Sequence, residues 1–402
     1  MLKPPSTSRD IMPDLLRAWA LIGIALVNVE MFSSSLMTGY THEQMTTGID
    51  RIAVSLVVGL FAMKSYSLFS MMFGAGLGYQ MASAVRTGDA FGGRYFRRMS
   101  GLLILGLLHY IFFFLGDILI IYSILGSIIF LCRNLSGRAL IRWGIVLIAF
   151  QTCLILLGGI LTLLMEQSAN ADPQAGAEGG MSADEEFGAA LDAVFAEGTF
   201  MNVAMKRLSV LPAILPNAFF IQGIAAAGFI MMGLGFYKLD LISQPDKPFW
   251  KKARYIFLPI GLIITAVGAY IYMTADSHRD GQAIISFAVI MAGSGFSTMG
   301  YAGWLAKLSQ IGTGPVLRFI ARGGSATLSA YLMQSVLLSA VFLEFGLGLF
   351  DEVSASAAIV IALGIAVFTL CFVSLWLKFF QRGPMEIVLR RWTYLGRKSV
   401  NV

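Results

Sequence analysis

The sequence is short of charge. Of 402 residues, 13% are Asp, Glu, Lys or Arg, against roughly 25% in a soluble domain; 57% are hydrophobic and the mean hydropathy is +0.76. An ordinary soluble globule is excluded. Cysteine is scarce too: Cys132, Cys153 and Cys371 are odd in number, fall in or beside apolar runs and lack ligand spacing. Neither a disulfide framework nor a metal site is therefore expected. The apolar runs also lack the alternation that strands of a transmembrane barrel would need. No internal repeat is visible, and beyond a formal charge of +6 nothing points to nucleic acid.

What the chain does have is about ten continuous apolar runs, each near the ~20 residues that a ~30 Å hydrocarbon core requires. They are 15–32, 63–84, 96–114, 118–131, 140–165, 214–237, 255–273, 283–305, 326–345 and 355–379. The expectation is an all-α polytopic membrane protein, one membrane domain over 1–402, with the lipid bilayer as its first partner. Every second connection is basic: Lys3 and Arg9; Arg86, Arg94, Arg97 and Arg98; Arg133, Arg138 and Arg142; Lys238 to Arg254; Lys307, Arg318 and Arg322; Arg382 to Lys398. The others are acidic or mixed, with Glu43 and Asp50, Asp172 to Glu197, Asp276 and Asp280, and Asp351 and Glu352. The positive-inside bias then predicts cytoplasmic N- and C-termini and a basic cytoplasmic tail over 382–402. Asp14 and Arg17 interrupt the first apolar run, so a retained span is expected rather than a cleaved signal peptide.

One connection differs from the rest. Residues 166–213 turn Ala, Gly and acid rich, then set Phe187, Leu191 and Phe195 on one helical face. An amphipathic helix on the outer membrane surface is predicted, either as a plain connector or as a lid over an external pocket.

Within the apolar sequence, "LLHYIFFFLGDILIIYSILG" carries His109 and Asp117 eight positions apart. The stretch around Gly116 reads as the tight turn of a helical hairpin, with Gly116 permitting the bend and Tyr122 returning to the depth of His109. Asp117 can cap the second helix, His109 can serve as an interhelical donor, and together they suit a general base held by a carboxylate. Asn28 and Lys64 fall at a similar depth, where an amide or an ammonium could stabilise an oxyanion. Equally, Lys64 could snorkel or pair with Glu30, and Asn28 could bond between helices. On the opposite side Arg17 is embedded near the start of its span, with Asp14 or a phosphate as candidate partner.

Five blocks carry a family resemblance: "PDLLRAWALIGIALVNVEMF" (13–32), "SLFSMMFGAGLG" (67–78), "GLLHYIFFFLGDILIIYSILG" (106–126), "SAYLMQS" (329–335) and "RGPMEIVLRRWTYLGRK" (382–398). Over nearly the whole chain they resemble the YeiB-like bacterial inner-membrane proteins, whose C-terminal half is a domain of unknown function. That family is distantly similar to transmembrane acyltransferases such as the lysosomal heparan glucosaminide acetyltransferase. Ala18, Ser325 and Ala330 depart from the family's usual Gly, Arg and Asn. The resemblance implies a bacterial plasma (inner) membrane location and movement of an acyl group from cytoplasmic acyl-CoA, the donor substrate, to an extracytoplasmic acceptor, with no covalently bound cofactor. His109, Asp117, Asn28 and Lys64 would be catalytic; Arg17, Arg94, Arg97, Arg98, Arg322, Tyr122 and Gln334 would bind substrate. A proton-coupled or small-molecule transporter is the rival expectation, and a noncatalytic membrane scaffold a third.

Overall fold

The computed structural model describes residues 11–35, 39, 45–88, 91–171, 183–275, 280–311 and 314–395. Lys3, Arg9, Glu43, Asp172, Asp276, Arg397 and Lys398, all used above to read topology, lie outside them. Among the described residues every regular element is helical. In chain order they are α1 (Met12–Asn28), α2 (Glu30–Ser33), α3 (Gly48–Leu60), α4 (Lys64–Thr87), α5 (Phe91–Phe112), α6 (Leu119–Ile129), α7 (Gly137–Ala171), α8 (Ala183–Glu197) and α9 (Phe200–Ala218). They continue with α10 (Ile224–Lys238), α11 (Pro248–Lys252), α12 (Leu258–Met273), α13 (Gly281–Ile311), α14 (Pro315–Gly324), α15 (Thr327–Phe342), α16 (Ala355–Phe379) and α17 (Pro384–Thr393). The protein is an all-α, multi-pass membrane protein.

Each of the ten apolar runs is helical, but they differ in how well they qualify as spans. Seven helices are long and apolar enough to cross a bilayer, or eight if α14 and α15, bent by 79°, count as one broken span. Two of the expected ten fall short for physical reasons. Arg97, Arg98 and His109 lower the hydropathy of α5, and the apolar helix of 119–132 is shorter than one bilayer crossing.

The core runs through the middle of the bundle, where α1, α4, α10 and α13 pack together. In their most apolar stretches the candidate spans 12–33, 200–238 and 281–311 are 61–67% buried, whereas those of α7 and of 248–273 are 22% buried. The latter turn large apolar side chains such as Ile145, Phe150, Ile263 and Tyr270 outward, the arrangement expected where lipid covers the surface. Between core helices close approach replaces bulk. A Cβ on Gly74 would lie 1.9 Å from the Ile230 carbonyl oxygen, and one on Gly233 the same distance from that of Met71. The backbones of α4 and α10 can touch only because both residues are Gly.

Two local expectations change. The connection expected over 166–213 is helical from Phe200, and α7 runs on to Ala171. Pro212 and Pro216, which suggest a helix boundary, sit inside α9 and are followed by a π turn over Phe219–Gly223. The carbonyls loosened there are satisfied from neighbouring helices, that of Phe220 by Gln151 Nε2 at 2.8 Å and that of Gln222 by the Tyr66 hydroxyl at 3.0 Å. Gly116 lies in the turn between α5 and α6 as expected, but without a positive φ. It is instead a packing position, for a Cβ there would strike the Phe114 ring at 2.5 Å. The amphipathic helix is present as α8, with Leu191 and Phe195 buried on one face.

Candidate functional site

The hairpin of α5 and α6 brings His109 and Asp117 together at its closed end. Imidazole Nδ1 and carboxylate Oδ2 are 2.6 Å apart, and both side chains are almost wholly buried. The other carboxylate oxygen accepts the Ile120 N–H at 2.9 Å and so caps α6. One carboxylate therefore does both jobs that its position suggested, one with each oxygen. Gly106, one turn before His109, makes the approach possible, since a Cβ there would lie 2.8 Å from both Asp117 Oδ1 and the Ile120 nitrogen. With Nδ1 held by the carboxylate, the free ring atom is Nε2, which is buried and has no hydrogen-bond partner among the described residues. The rings of Tyr331, on α15, and His109 are 5.0 Å apart between centroids. The Tyr331 hydroxyl accepts a long bond from the Ile118 N–H at 3.5 Å.

Tyr331 also lines a cavity of about 230 Å³, whose walls include Arg17, Gln80, Arg98, Tyr122 and Glu386 but neither His109 nor Asp117. That is smaller than the ~300–1,000 Å³ of a typical small-molecule pocket. Tyr122 is held by Ser70, hydroxyl to hydroxyl at 2.6 Å. Arg17 Nη1 donates to Asp14 Oδ1 at 2.9 Å. Glu386, on α17, accepts the backbone N–H groups of Leu328 at 2.8 Å and Ser329 at 3.2 Å and bonds the Ser329 hydroxyl, fastening the tail to the first turn of α15. Arg98 keeps Nε buried without a hydrogen-bond partner. Nearby, outside the apolar spans, Arg382 is held below the ordinary guanidinium pKa by burial and by the charge of Arg390.

Three of the expected substrate-binding residues thus line one cavity: Arg17, Arg98 and Tyr122. The other four do not line it. Arg94 donates to the Gln80 carbonyl at 3.0 Å and Arg97 to that of Leu395 at 3.0 Å. Gln334 is buried and donates to the Leu21 carbonyl at 3.3 Å and to Thr369 at 3.4 Å. Arg322 closes α14 away from the cavity wall. Of the expected catalytic four, only His109 and Asp117 meet. Asn28 ends α1 half-buried. Lys64 is buried at the break between α3 and α4, where its ammonium donates to the Val58 carbonyl at 3.3 Å, while Glu30 accepts from the Tyr272 hydroxyl. Sequence reasoning passed over Tyr331, Glu386 and Gln80. Tyr331 and Glu386 stand in the fourth and fifth family-like blocks and were the findable ones; Gln80 follows the second and carries no such signal. Among the described residues no cluster of His, Cys, Asp or Glu could hold a metal ion.

Comparison with known proteins places these features. Residues 236–396 match the family described as Protein of unknown function (DUF418). The chain is 25% identical to the uncharacterized protein YxaH of Bacillus subtilis, covering 99% of this chain and 98% of that one. It is 24% identical to the uncharacterized protein YeiB of Escherichia coli, covering 96% of each. The chain is thus similar to YxaH and YeiB over nearly its whole length. No solved structure matches it. The segment that matches DUF418 contributes Tyr331 and Glu386, whereas His109, Asp117, Arg17 and Arg98 precede it in the sequence.

Proposed function

We propose that this protein is a transmembrane acyltransferase of the bacterial plasma membrane that passes an acyl group from cytoplasmic acyl-CoA to a hydroxyl or amine acceptor on the extracytoplasmic side. The observation that carries this reading is the pairing of a carboxylate-held His109, its Nε2 unengaged, with a cavity that runs from Tyr331 to Arg17 and Arg98. Arginine suits the phosphates of CoA because its planar fork donates two parallel hydrogen bonds. The small cavity has room for part of the pantetheine arm and acyl chain, with the nucleotide outside it.

In the reaction, His109 Nε2 takes the acceptor proton while the acceptor oxygen or nitrogen bonds to the thioester carbonyl carbon. Asp117 stabilises the imidazolium that results. Collapse of the tetrahedral oxyanion breaks the C–S bond, and the departing thiolate receives the proton from the imidazolium. Products are the acylated acceptor and free CoA. Tyr331, whose hydroxyl proton has no acceptor among the described residues, is the hydroxyl best placed to stabilise the oxyanion. Attack by Nε2 itself, giving an acyl-imidazole that the acceptor then consumes, fits the same groups.

One observation favours a transporter instead: the span formed by α14 and α15 is broken by 79°, and broken helices frame substrate sites in many carriers. Proteoliposomes charged with acyl-labelled CoA separate the two readings. An acyltransferase releases free CoA and labelled acceptor or labelled His109, whereas a carrier leaves the thioester intact. Reporter fusions after Gly176 and after Lys251 test the membrane orientation and should report outside and inside respectively; matching signals would overturn it.

A further inference from the structure

A second polar site lies beside the hairpin, on the face of α5 that meets α9. Arg207 projects from α9 into the bundle and is 2% exposed. Its Nε and Nη1 are buried without a hydrogen-bond partner among the described residues. Its neighbours on α9, Met201, Met205 and Leu208, are exposed on the outer surface of the helix. Arg207 therefore does not reach along the surface to water, as a long basic side chain near a membrane boundary ordinarily does. It turns inward beneath α8, where its guanidinium carbon lies 5.2 Å from the centroid of the Phe195 ring. Leu191 and Phe195 pack in one cluster with Val203 and Val210 of α9 and with Tyr110 of α5. The hydroxyl of Tyr110, the residue after His109, is also buried without a partner.

Two other arginines of the bundle find backbone acceptors. Arg94 donates to the Gln80 carbonyl and Arg254 to the Gly303 carbonyl. Among the described residues, the compensating contact for Arg207 is the aromatic face, which is weak beside the cost of taking a guanidinium out of water. A cation and a phenol, neither with a hydrogen-bond partner for these atoms among the described residues and both under the apolar face of α8, are the donor set of an oxyanion site.

We propose that Arg207 and Tyr110 bind a phosphate group beneath α8, with α8 as its cover. Phosphate is the oxyanion that the headgroup layer supplies in quantity. The group could also arrive on a soluble phosphate ester, so the chemistry assigned is a phosphate, donor to it the guanidinium N–H groups and the Tyr110 O–H. This proposal does not depend on acyl transfer.

The test is thermal unfolding of the full chain, purified in a neutral detergent. One arm adds micellar phosphatidylglycerol, with phosphatidylcholine as the reference for general lipid effects; the other adds glycerol phosphate. A saturable rise in Tm with phosphatidylglycerol above the phosphatidylcholine reference assigns a lipid headgroup, and a saturable rise with glycerol phosphate assigns a soluble ester. Arg207→Met should abolish the rise. Tyr110→Phe, which removes one hydroxyl and keeps the ring, should weaken the apparent affinity by about 2- to 13-fold and decides the matter if Arg207→Met does not fold. His109→Ala should leave the rise intact, separating this site from the dyad. No rise above the reference with either probe, or a rise unchanged in Tyr110→Phe and in a folded Arg207→Met, would overturn the proposal.

Discussion

The two ends of α5 place polar groups in an apolar bundle in opposite ways. At the hairpin end, His109 and Asp117 lie eight residues apart on one supersecondary unit, touch at 2.6 Å and are closed off from solvent. At the other end, Arg98 meets Arg17 of α1, Tyr331 of α15 and Glu386 of α17 around an open cavity. The first arrangement is fixed by one tight turn and by the absence of a side chain at Gly106; it holds even if distant helices shift. The second exists only while six elements, α4 and α6 among them, are docked. A group that must hold or pass a proton gains from rigid local geometry. A wall that must admit and release a flexible ligand gains from being assembled from separate parts. The fastening of α17 to α15 by Glu386 is where the assembled end is most open to disruption.

The sharpest way to break this comparison is to remove the group at the rigid end. In the transfer assay His109→Ala should lower the rate by about 10²- to 10⁴-fold, the usual contribution of a positioned general base, while the protein still inserts in the membrane. Full activity in a properly inserted variant would leave His109 as an interhelical packing residue and remove the acyltransfer reading of the dyad.

Asp117→Asn is the next largest. The amide oxygen can still accept the Ile120 N–H, so the cap survives. The amide nitrogen, however, would face Nδ1 as a donor, and the imidazole would then carry its proton on Nε2, the wrong tautomer for a base. The rate should fall by about 10²-fold, at the low end of the general-base range, with Tm nearly unchanged. A large fall in Tm with the rate per folded molecule preserved would show that capping was the only role.

Gly106→Ala tests the geometry rather than the chemistry. The added methyl meets a backbone nitrogen, which cannot swing away, so the two hairpin arms must separate. Overpacking of this kind costs about 1–3 kcal/mol and should appear as a lower unfolding midpoint in detergent, together with a rate between those of the wild type and Asp117→Asn. An unchanged midpoint would mean that the hairpin is looser than its geometry indicates.

How much of this was legible in the sequence follows from the same contrast. The dyad could be read because both residues sit on one hairpin, where a turn and a rise per residue fix their depth. The apolar runs, the α8 face and the membrane class were legible for the same reason, since periodicity and length are local properties. The cavity was legible only in part. Arg17, Arg98 and Tyr122 were candidates by depth and charge, but depth does not say which helices are neighbours. So Arg94, Arg97, Arg322 and Gln334 entered on equal terms, although carbonyl partners or distance take them away from the wall. Arg207 was invisible because a lone arginine near a membrane boundary ordinarily snorkels, and only the packing of α8 over α9 shows that this one does not. Lys64 and Asn28 were grouped with the dyad by depth along their own helices; the break at Met63, with a φ of 62°, turns Lys64 toward a carbonyl freed in its own segment.

The smallest effect is expected from the arginine that chemistry alone could not tell apart from its neighbour. Arg97 and Arg98 are adjacent on α5, but only Arg98 lines the cavity. Arg97 points along the surface to the Leu395 carbonyl. Arg98→Met should weaken CoA binding by about 10-fold or more, because a charge-assisted hydrogen bond contributes about 1.5–3 kcal/mol. Arg97→Ala is a surface change and should stay within about 0.5 kcal/mol in both stability and CoA affinity. Calorimetric titration of CoA into the two variants, side by side in the same detergent, checks both. Equal losses would mean that the binding of CoA follows the positive charge of the whole face and not the cavity, and the assembled end of α5 would then be a basic surface with no defined site.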